Sequence, residues 1–138
     1  MSGDRALEGR HVLVVEDEMM IAMLVEDMLD DLGCKVVGPA HGLEAALALA
    51  KSAAVIDAAL LDISLAGLSV FPVADALRAK GVPMIFATGY GDAELREIDK
   101  NAPVLLKPYR AGELARALGE VMTEAPRLAA QAQRLTGS

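Results

Sequence analysis

Ala59-Leu60-Leu61-Asp62-Ile63-Ser64 reads as a buried strand that ends in a carboxylate. Leu60 and Leu61 belong in a core; Asp62 does not. An ionised carboxylate is costly to bury unless it is paired or bound to a metal. Asp62 therefore belongs where the strand emerges, at its carboxyl end. In open α/β sheets that edge is where ligands bind. A second acid, Asp57, stands near the start of the same run, about 16 Å away along an extended strand. The two cannot share a site. Asp57 reads as a solvated strand start and Asp62 as the candidate for chemistry.

Four more strands flank this one. His11-Val12-Leu13-Val14-Val15 is a continuous β-branched run, the mark of a parallel strand covered on both faces. It ends in Glu16-Asp17-Glu18. Lys35-Val36-Val37 is short and is closed by Gly38-Pro39. Pro83-Met84-Ile85-Phe86-Ala87 leads into Thr88-Gly89-Tyr90-Gly91, and Val104-Leu105-Leu106 ends at Lys107-Pro108. Helical spacing lies between them. Met20, Leu24, Met28 and Leu32, with Ile21 and Val25 beside them, form the first apolar stripe, stopped by Gly33. Leu43, Ala46, Leu47 and Ala50 form the second. Val70, Val73, Ala74 and Leu77 form the third, with Ser69 as N-cap and Pro72 in the first turn. Asp92–Asp99 reads as a short polar fourth helix, and Leu114, Ala117, Leu118 and Val121 mark a fifth, broken by Pro126. Five strands alternating with five helices predict a parallel sheet with right-handed crossovers, in strand order 2-1-3-4-5. Residues 1–10 read as a loosely held segment, 11–122 as one domain and 123–138 as a tail.

The totals agree with one domain: 138 residues are enough to bury a core. With 54% apolar and only 3% aromatic residues, Ala, Leu, Val and Met must build it. No apolar run reaches the roughly 18 residues of a membrane span. The first residues lack an apolar h-region, so no secretory signal is expected. A single cysteine, Cys34, excludes an internal disulfide framework and fits a reducing cytoplasm; after Gly33 it reads as a small buried apolar residue. The net charge of −7 argues against a nucleic-acid surface. His11 and His41 read as structural or exposed.

The strand ends carry the chemistry. Strand one ends in Glu16 and Asp17, strand three in Asp62, strand four in Thr88 and strand five in Lys107; this topology brings all five to one sheet edge. Taken singly each is weak, since an acid after a strand is often just loop solvation. Together they are hard to obtain by chance. Three carboxylates repel and need a cation, and oxygen ligands without a nearby histidine favour Mg²⁺ over zinc. A lysine and a threonine facing the acids suit an anion with several oxygens. Mg²⁺, a lysine and a hydroxyl supply the charge neutralisation and positioning that phosphoryl transfer needs, with a carboxylate as nucleophile. No Gly-rich nucleotide loop is present, so ATP is not the obvious donor.

With Val-Val-Glu-Asp-Glu at 14–18, Leu-Leu-Asp-Ile-Ser-Leu at 60–65, Ala-Thr-Gly at 87–89 and Lys-Pro-Tyr at 107–109, the chain resembles a response-regulator receiver domain of two-component signalling, from about His11 to Met122. The resemblance implies a flavodoxin-like sandwich in the cytoplasm. It implies Asp62 as phospho-acceptor and Mg²⁺ held by Glu16, Asp17, Asp62 and the backbone carbonyl of Ser64. Lys107 would pair with the phosphoryl oxygens and Thr88 would bond to one of them. The donor would be a phosphohistidine on a histidine kinase or histidine phosphotransfer protein. Many receivers carry an aromatic switch residue three positions before the lysine; here that position is Val104. Phe86-Ala87-Thr88-Gly89-Tyr90 instead resembles a subgroup with a Phe-Ala-Thr-Gly signature, which makes Tyr90 the substitute candidate.

The leading reading is a stand-alone phosphorylation switch or phosphorelay element, not an enzyme beyond its own phosphorylation and slow dephosphorylation. The residues after the last helix are too few for an output domain, so output would pass to a downstream protein target through helix four, strand five and helix five. A homodimer through the apolar helices stays open. The competing reading is a small Mg²⁺-dependent phosphohydrolase with an aspartyl-phosphate intermediate. It would want a general-acid carboxylate shortly after the nucleophile, where Ile63 and Ser64 stand. A third reading, an unphosphorylated scaffold, conflicts with the intact five-residue set.

Overall fold

The computed structural model describes residues 7–90 and 94–122. Its centre is a parallel sheet of β1 (His11–Val15), β2 (Lys35–Ala40), β3 (Ala58–Asp62), β6 (Met84–Thr88) and β7 (Val104–Leu106), in the order β2-β1-β3-β6-β7. Numbering the sheet strands alone, this is the 2-1-3-4-5 order expected from sequence. β4 (Ser64–Leu65) and β5 (Leu68–Ser69) form a separate antiparallel hairpin in the loop after β3.

The continuous apolar strands are continuous because both their faces are covered. Every residue of β3 and β6 is buried. Alternate side chains feed two cores. Leu13, Val15, Leu61 and Phe86 meet α2 (Leu43–Ser52) and α3 (Phe71–Ala79) on one side. Val12, Val14, Leu60 and Ile85 meet α1 (Met19–Asp31) and α4 (residues 111–122) on the other. Small side chains, Ala46 and Ala50, bring α2 close to the sheet. Phe71 and Phe86 meet edge to face at 6.5 Å. Fully burying a side chain such as Leu61 or Phe86 stabilises the fold by roughly 1.5–3 kcal/mol.

Helix ends follow local chemistry. α1 stops at Gly33, whose φ is +82°. There the Gly33 and Cys34 N–H groups donate to Asp30 and Leu29 carbonyls, at 3.0 and 2.9 Å. This is a Schellman closure. A Cβ at Gly33 would come within 2.8 Å of Glu8 Cγ. At α3 the N-cap is Val70 and not the expected Ser69, though the Phe71 N–H still donates to Ser69 Oγ at 3.1 Å, and Pro72 sits in the first turn. Cys34 is buried, its thiol donating to the Leu7 carbonyl, and burial pushes that thiol upward in pKa.

Five further expectations need correction. The inward face of α1 is Ala22, Val25 and Leu29; Met20 and Leu24, placed in the stripe from sequence, are 80% and 58% exposed. A helix so apolar offers several stripes at helical spacing, and docking on the sheet selects one. β2 does not close at Gly38-Pro39 but runs to Ala40. Gly38 bends it at φ +94° and the register with β1 shifts between Leu13 and Val15. An edge strand tolerates a proline there. The β4–β5 hairpin was not foreseen. Its turn has positive φ at both Ala66 and Gly67, the type I′ geometry that two-residue hairpins favour.

The polar fourth helix is absent from residues 94–99, where the regular structure is a 3-10 turn at Glu97–Asp99; Asp92 lies outside the described residues. Long-range ion pairs override local propensity there. Asp99 is buried and its carboxylate accepts from the Arg78 guanidinium and, at 2.8 Å, from Arg96 Nε. Arg96 also donates to Asp75 at 2.9 Å and stacks 4.4 Å from the Phe71 ring centroid. The described residues thus hold four α-helices, not five. At the N-terminal side, residues 7–10 are packed rather than loose: Leu7 is in the core and the Gly9 N–H donates to the Gly33 carbonyl. Pro126 and the tail lie outside the described residues.

Candidate functional site

Parallel pairing decides the site, because it brings all the carboxyl ends to one edge. β1 ends at Val15, β3 at Asp62 and β6 at Thr88, with Asp62 in register with Ala87. Glu16 and Asp17 follow β1 directly and Lys107 follows β7. One carboxylate oxygen each from Glu16, Asp17 and Asp62 lies within 4.8 Å of the others. Lys107 Nζ lies 3.0 Å from Glu16 Oε1 and 3.0 Å from Asp62 Oδ2. Three carboxylates face one ammonium, so a hard divalent cation held by oxygen fits the residual charge. Glu16 and Asp62 are buried and Asp17 half-buried, so the surroundings do little to screen that charge.

The electrostatics follow from this crowding. Burial pushes the Asp62 carboxyl up to about 7; Lys107 opposes the rise and the Glu16 carboxylate adds to it. Burial alone would lower Lys107, but its bonds to Asp62 and Glu16 outweigh that and raise it. Asp17 goes the other way. Burial pushes it up, but hydrogen bonds together outweigh burial and lower it, first among them the Ala66 N–H, which donates to Asp17 Oδ2 at 2.9 Å. The turn of the β4–β5 hairpin thus holds one acid of the cluster in place. Glu16 is held twice: the Glu18 N–H donates to Oε2 at 3.1 Å, and His41 Nδ1 lies 3.0 Å from its backbone carbonyl.

Other candidates from sequence fall as follows. Thr88 is buried; its hydroxyl donates to Glu94 Oε1 at 2.6 Å and accepts from the Tyr90 N–H at 3.0 Å. Tyr90 itself is 81% exposed. Val104 is half-buried, in register with Phe86 and packed on the α2/α3 core. Ser64 opens the hairpin two residues beyond Asp62, with its side chain exposed. Asp57 sits away from the cluster, accepting from the His11 N–H at 2.7 Å. Sequence reasoning missed Glu94 and the Ala66 amide. Neither has a local pattern: each acts through a contact set by the loops. His41 is exposed and in a structural contact, in line with its reading from sequence.

A groove of about 290 Å³ adjoins the cluster, lined by Ile21, Leu24, Val25 and Met28 of α1 together with Lys107, Pro108 and Tyr109. Tyr109 packs on the α1/α4 core; burial, then the charges of Glu16 and Asp62, push its phenol upward in pKa.

Known proteins share this frame. The chain matches the response regulator receiver domain family over residues 12–119. It is 30% identical over 125 residues to the phyllosphere-induced regulator PhyR of Methylorubrum extorquens, covering 88% of this chain and 46% of that protein. It spans about half the length of the curated relatives it matches. The solution structure of SdrG from Sphingomonas melonis Fr1 is 40% identical, with a TM-score of 0.73 over 85% of this chain and 98% of that one. The receiver domain of sensor histidine kinase PA1611 from Pseudomonas aeruginosa PAO1, with a magnesium ion coordinated in its active-site cleft, is 28% identical. Its TM-score is 0.69, over 83% of this chain and 98% of that one. The family match over residues 12–119, most of the chain, places it in the response regulator receiver domain family.

Proposed function

We propose that the chain is a phosphorylation switch or phosphorelay element that accepts a phosphoryl group on Asp62 from a phosphohistidine of a histidine kinase or histidine phosphotransfer protein in the cytoplasm. The observation that carries this reading is Lys107 Nζ, 3.0 Å from both Asp62 and Glu16, with Asp17 in the same oxygen cluster. Asp62 Oδ attacks phosphorus, a P–O bond forms, the P–N bond breaks, and the imidazole leaves with its electron pair. Lys107 is placed to meet the charge on the transferring oxygens. Glu16, Asp17, Asp62 and the Ser64 carbonyl would hold Mg²⁺. When bound, that ion supplies charge neutralisation and orients the phosphoryl oxygens. No turnover beyond self-phosphorylation and slow hydrolysis is proposed.

The switch would start at Thr88, whose hydroxyl turns to the new phosphoryl group. Val104 cannot supply an aromatic rotor, and Tyr90, bonded through its backbone to Thr88, takes that place. Exposed Met19, Met20, Met23 and Leu24 on α1, beside the groove, suit docking of the donor; exposed Ile98 and Leu106 suit a downstream protein target.

The test is intact-protein mass after incubation with a small phosphoryl donor, with and without Mg²⁺. One Mg²⁺-dependent phosphoryl increment, lost in Asp62→Ala, supports the reading. An increment unchanged in Asp62→Ala, or steady turnover of a phosphate ester, contradicts it.

A further inference from the structure

Thr88 is buried at the end of β6, yet its hydroxyl hydrogen is committed before any phosphoryl group arrives. Its hydrogen goes to Glu94 Oε1 at 2.6 Å and its oxygen accepts the Tyr90 N–H at 3.0 Å. A hydroxyl has one hydrogen, so it cannot serve Glu94 and a phosphoryl oxygen together. We propose that Glu94 is a built-in competitor of the phosphoryl group: its carboxylate occupies the Thr88 hydroxyl at rest and must release it for the switch to turn. This rests on Asp62 as the phosphoryl acceptor and names how that site is restrained.

Two features fit Glu94 to this role. It is delivered by an anchored backbone, since Arg96, two residues on, is fixed by Asp75 and Asp99 and stacks on Phe71. The carboxylate therefore starts from a fixed place, unlike that of an ordinary surface glutamate. It is also solvent-exposed, so once released it regains water instead of being stranded as a buried charge. A short charge-assisted bond that can be rehydrated biases an equilibrium without locking it. Movement of the Thr88 oxygen toward the phosphoryl group also breaks the Tyr90 N–H contact, because that amide donates to the same oxygen. Tyr90 and Glu94 thus report one event.

The test uses the full chain and beryllofluoride with Mg²⁺ as a stand-in for the phosphoryl group on Asp62. Nuclear magnetic resonance titration would compare wild type, Glu94→Ala, Glu94→Gln, Thr88→Ala and the Glu94→Ala/Thr88→Ala double variant. The expected result is about 3- to 10-fold tighter binding in Glu94→Ala. Glu94→Gln should be intermediate, because its carbonyl still accepts but carries no charge. In the ligand-free Glu94→Ala protein, the Thr88 and Tyr90 amide resonances should move toward their wild-type bound positions. Wild-type affinity in Glu94→Ala, with those resonances unmoved, overturns the proposal. So does an equal gain from Glu94→Ala in the Thr88→Ala background, which would mean simple removal of negative charge. Failure of the wild-type chain to bind beryllofluoride through Asp62 would overturn the receiver reading itself, and this proposal with it.

Discussion

Replacing Asp62 by Asn should raise the stability of the metal-free chain. Asp62 and Glu16 are buried beside each other and share one ammonium. The Asp62 carboxyl titrates at about 7 in the fold, against an ordinary value of 3.8. At about 1.4 kcal/mol per unit, keeping it ionised costs on the order of 4 kcal/mol. Lys107 already moderates that shift; relaxation of the buried site reduces the expected gain to about 2 kcal/mol, or a rise of about 7 °C in Tm. The sign follows from linkage. A carboxyl raised by folding is protonated in both states well below 4, so nothing is lost there. Between about 4 and 7 the folded state holds the extra proton and stability falls as pH rises; above 7 the penalty is complete. Asp62→Asn should therefore match wild type at pH 4 and exceed it at pH 8, by urea denaturation with a chelator present. Saturating Mg²⁺, at about 100 times its Kd, should add roughly 2.7 kcal/mol to wild type and close the gap. A variant no more stable than wild type at pH 8, or one with the same advantage at both pH values, would refute the reasoning.

Lys107→Met leaves Glu16 and Asp62 without their shared cation. It should cost about 3 kcal/mol at pH 8 without metal, and the urea midpoint should recover with Mg²⁺. Leu29→Ala should cost about 3 kcal/mol, whereas Met20→Ala, on the exposed side of the same helix, should stay within about 0.5 kcal/mol; paired urea melts decide between the two faces of α1. Gly38→Ala places a Cβ 2.8 Å from the Ala40 nitrogen at a φ of +94°, and should cost on the order of 2 kcal/mol in a thermal melt.

The sheet was legible because its strands are buried on both faces and so read as unbroken apolar runs, from Val12–Val15 to Met84–Ala87. The cluster was legible for the opposite reason: acids do not belong at the end of such runs, and Glu16, Asp17 and Asp62 stand there. What could not be read depends on tertiary partners. α1 carries Met19, Met20, Ile21, Met23, Leu24 and Val25 almost in succession, so periodicity alone could not choose Ala22, Val25 and Leu29 as the inward face. The region after Tyr90 looked helical by composition, but Asp99 reaches across to Arg78, 21 residues away. The β4–β5 turn places Ala66 at a φ of +51°, without the Asn-Gly pair that announces such turns. Glu94 sat unnoticed in a polar stretch because a serviceable carboxylate there looks like any solvated one.

The Ala66–Asp17 contact has a consequence for how this loop can evolve. The group that orients Asp17 is a peptide N–H, and every residue except proline supplies one. The identity of the side chain at 66 is therefore nearly free, subject to a turn that accepts positive φ, where Gly or Asn would sit with less strain than Ala. Side chains of the hairpin can diverge to suit different partners while the acid keeps its orientation. A proline at 66 would break that independence in one step, by removing the amide and forbidding the turn.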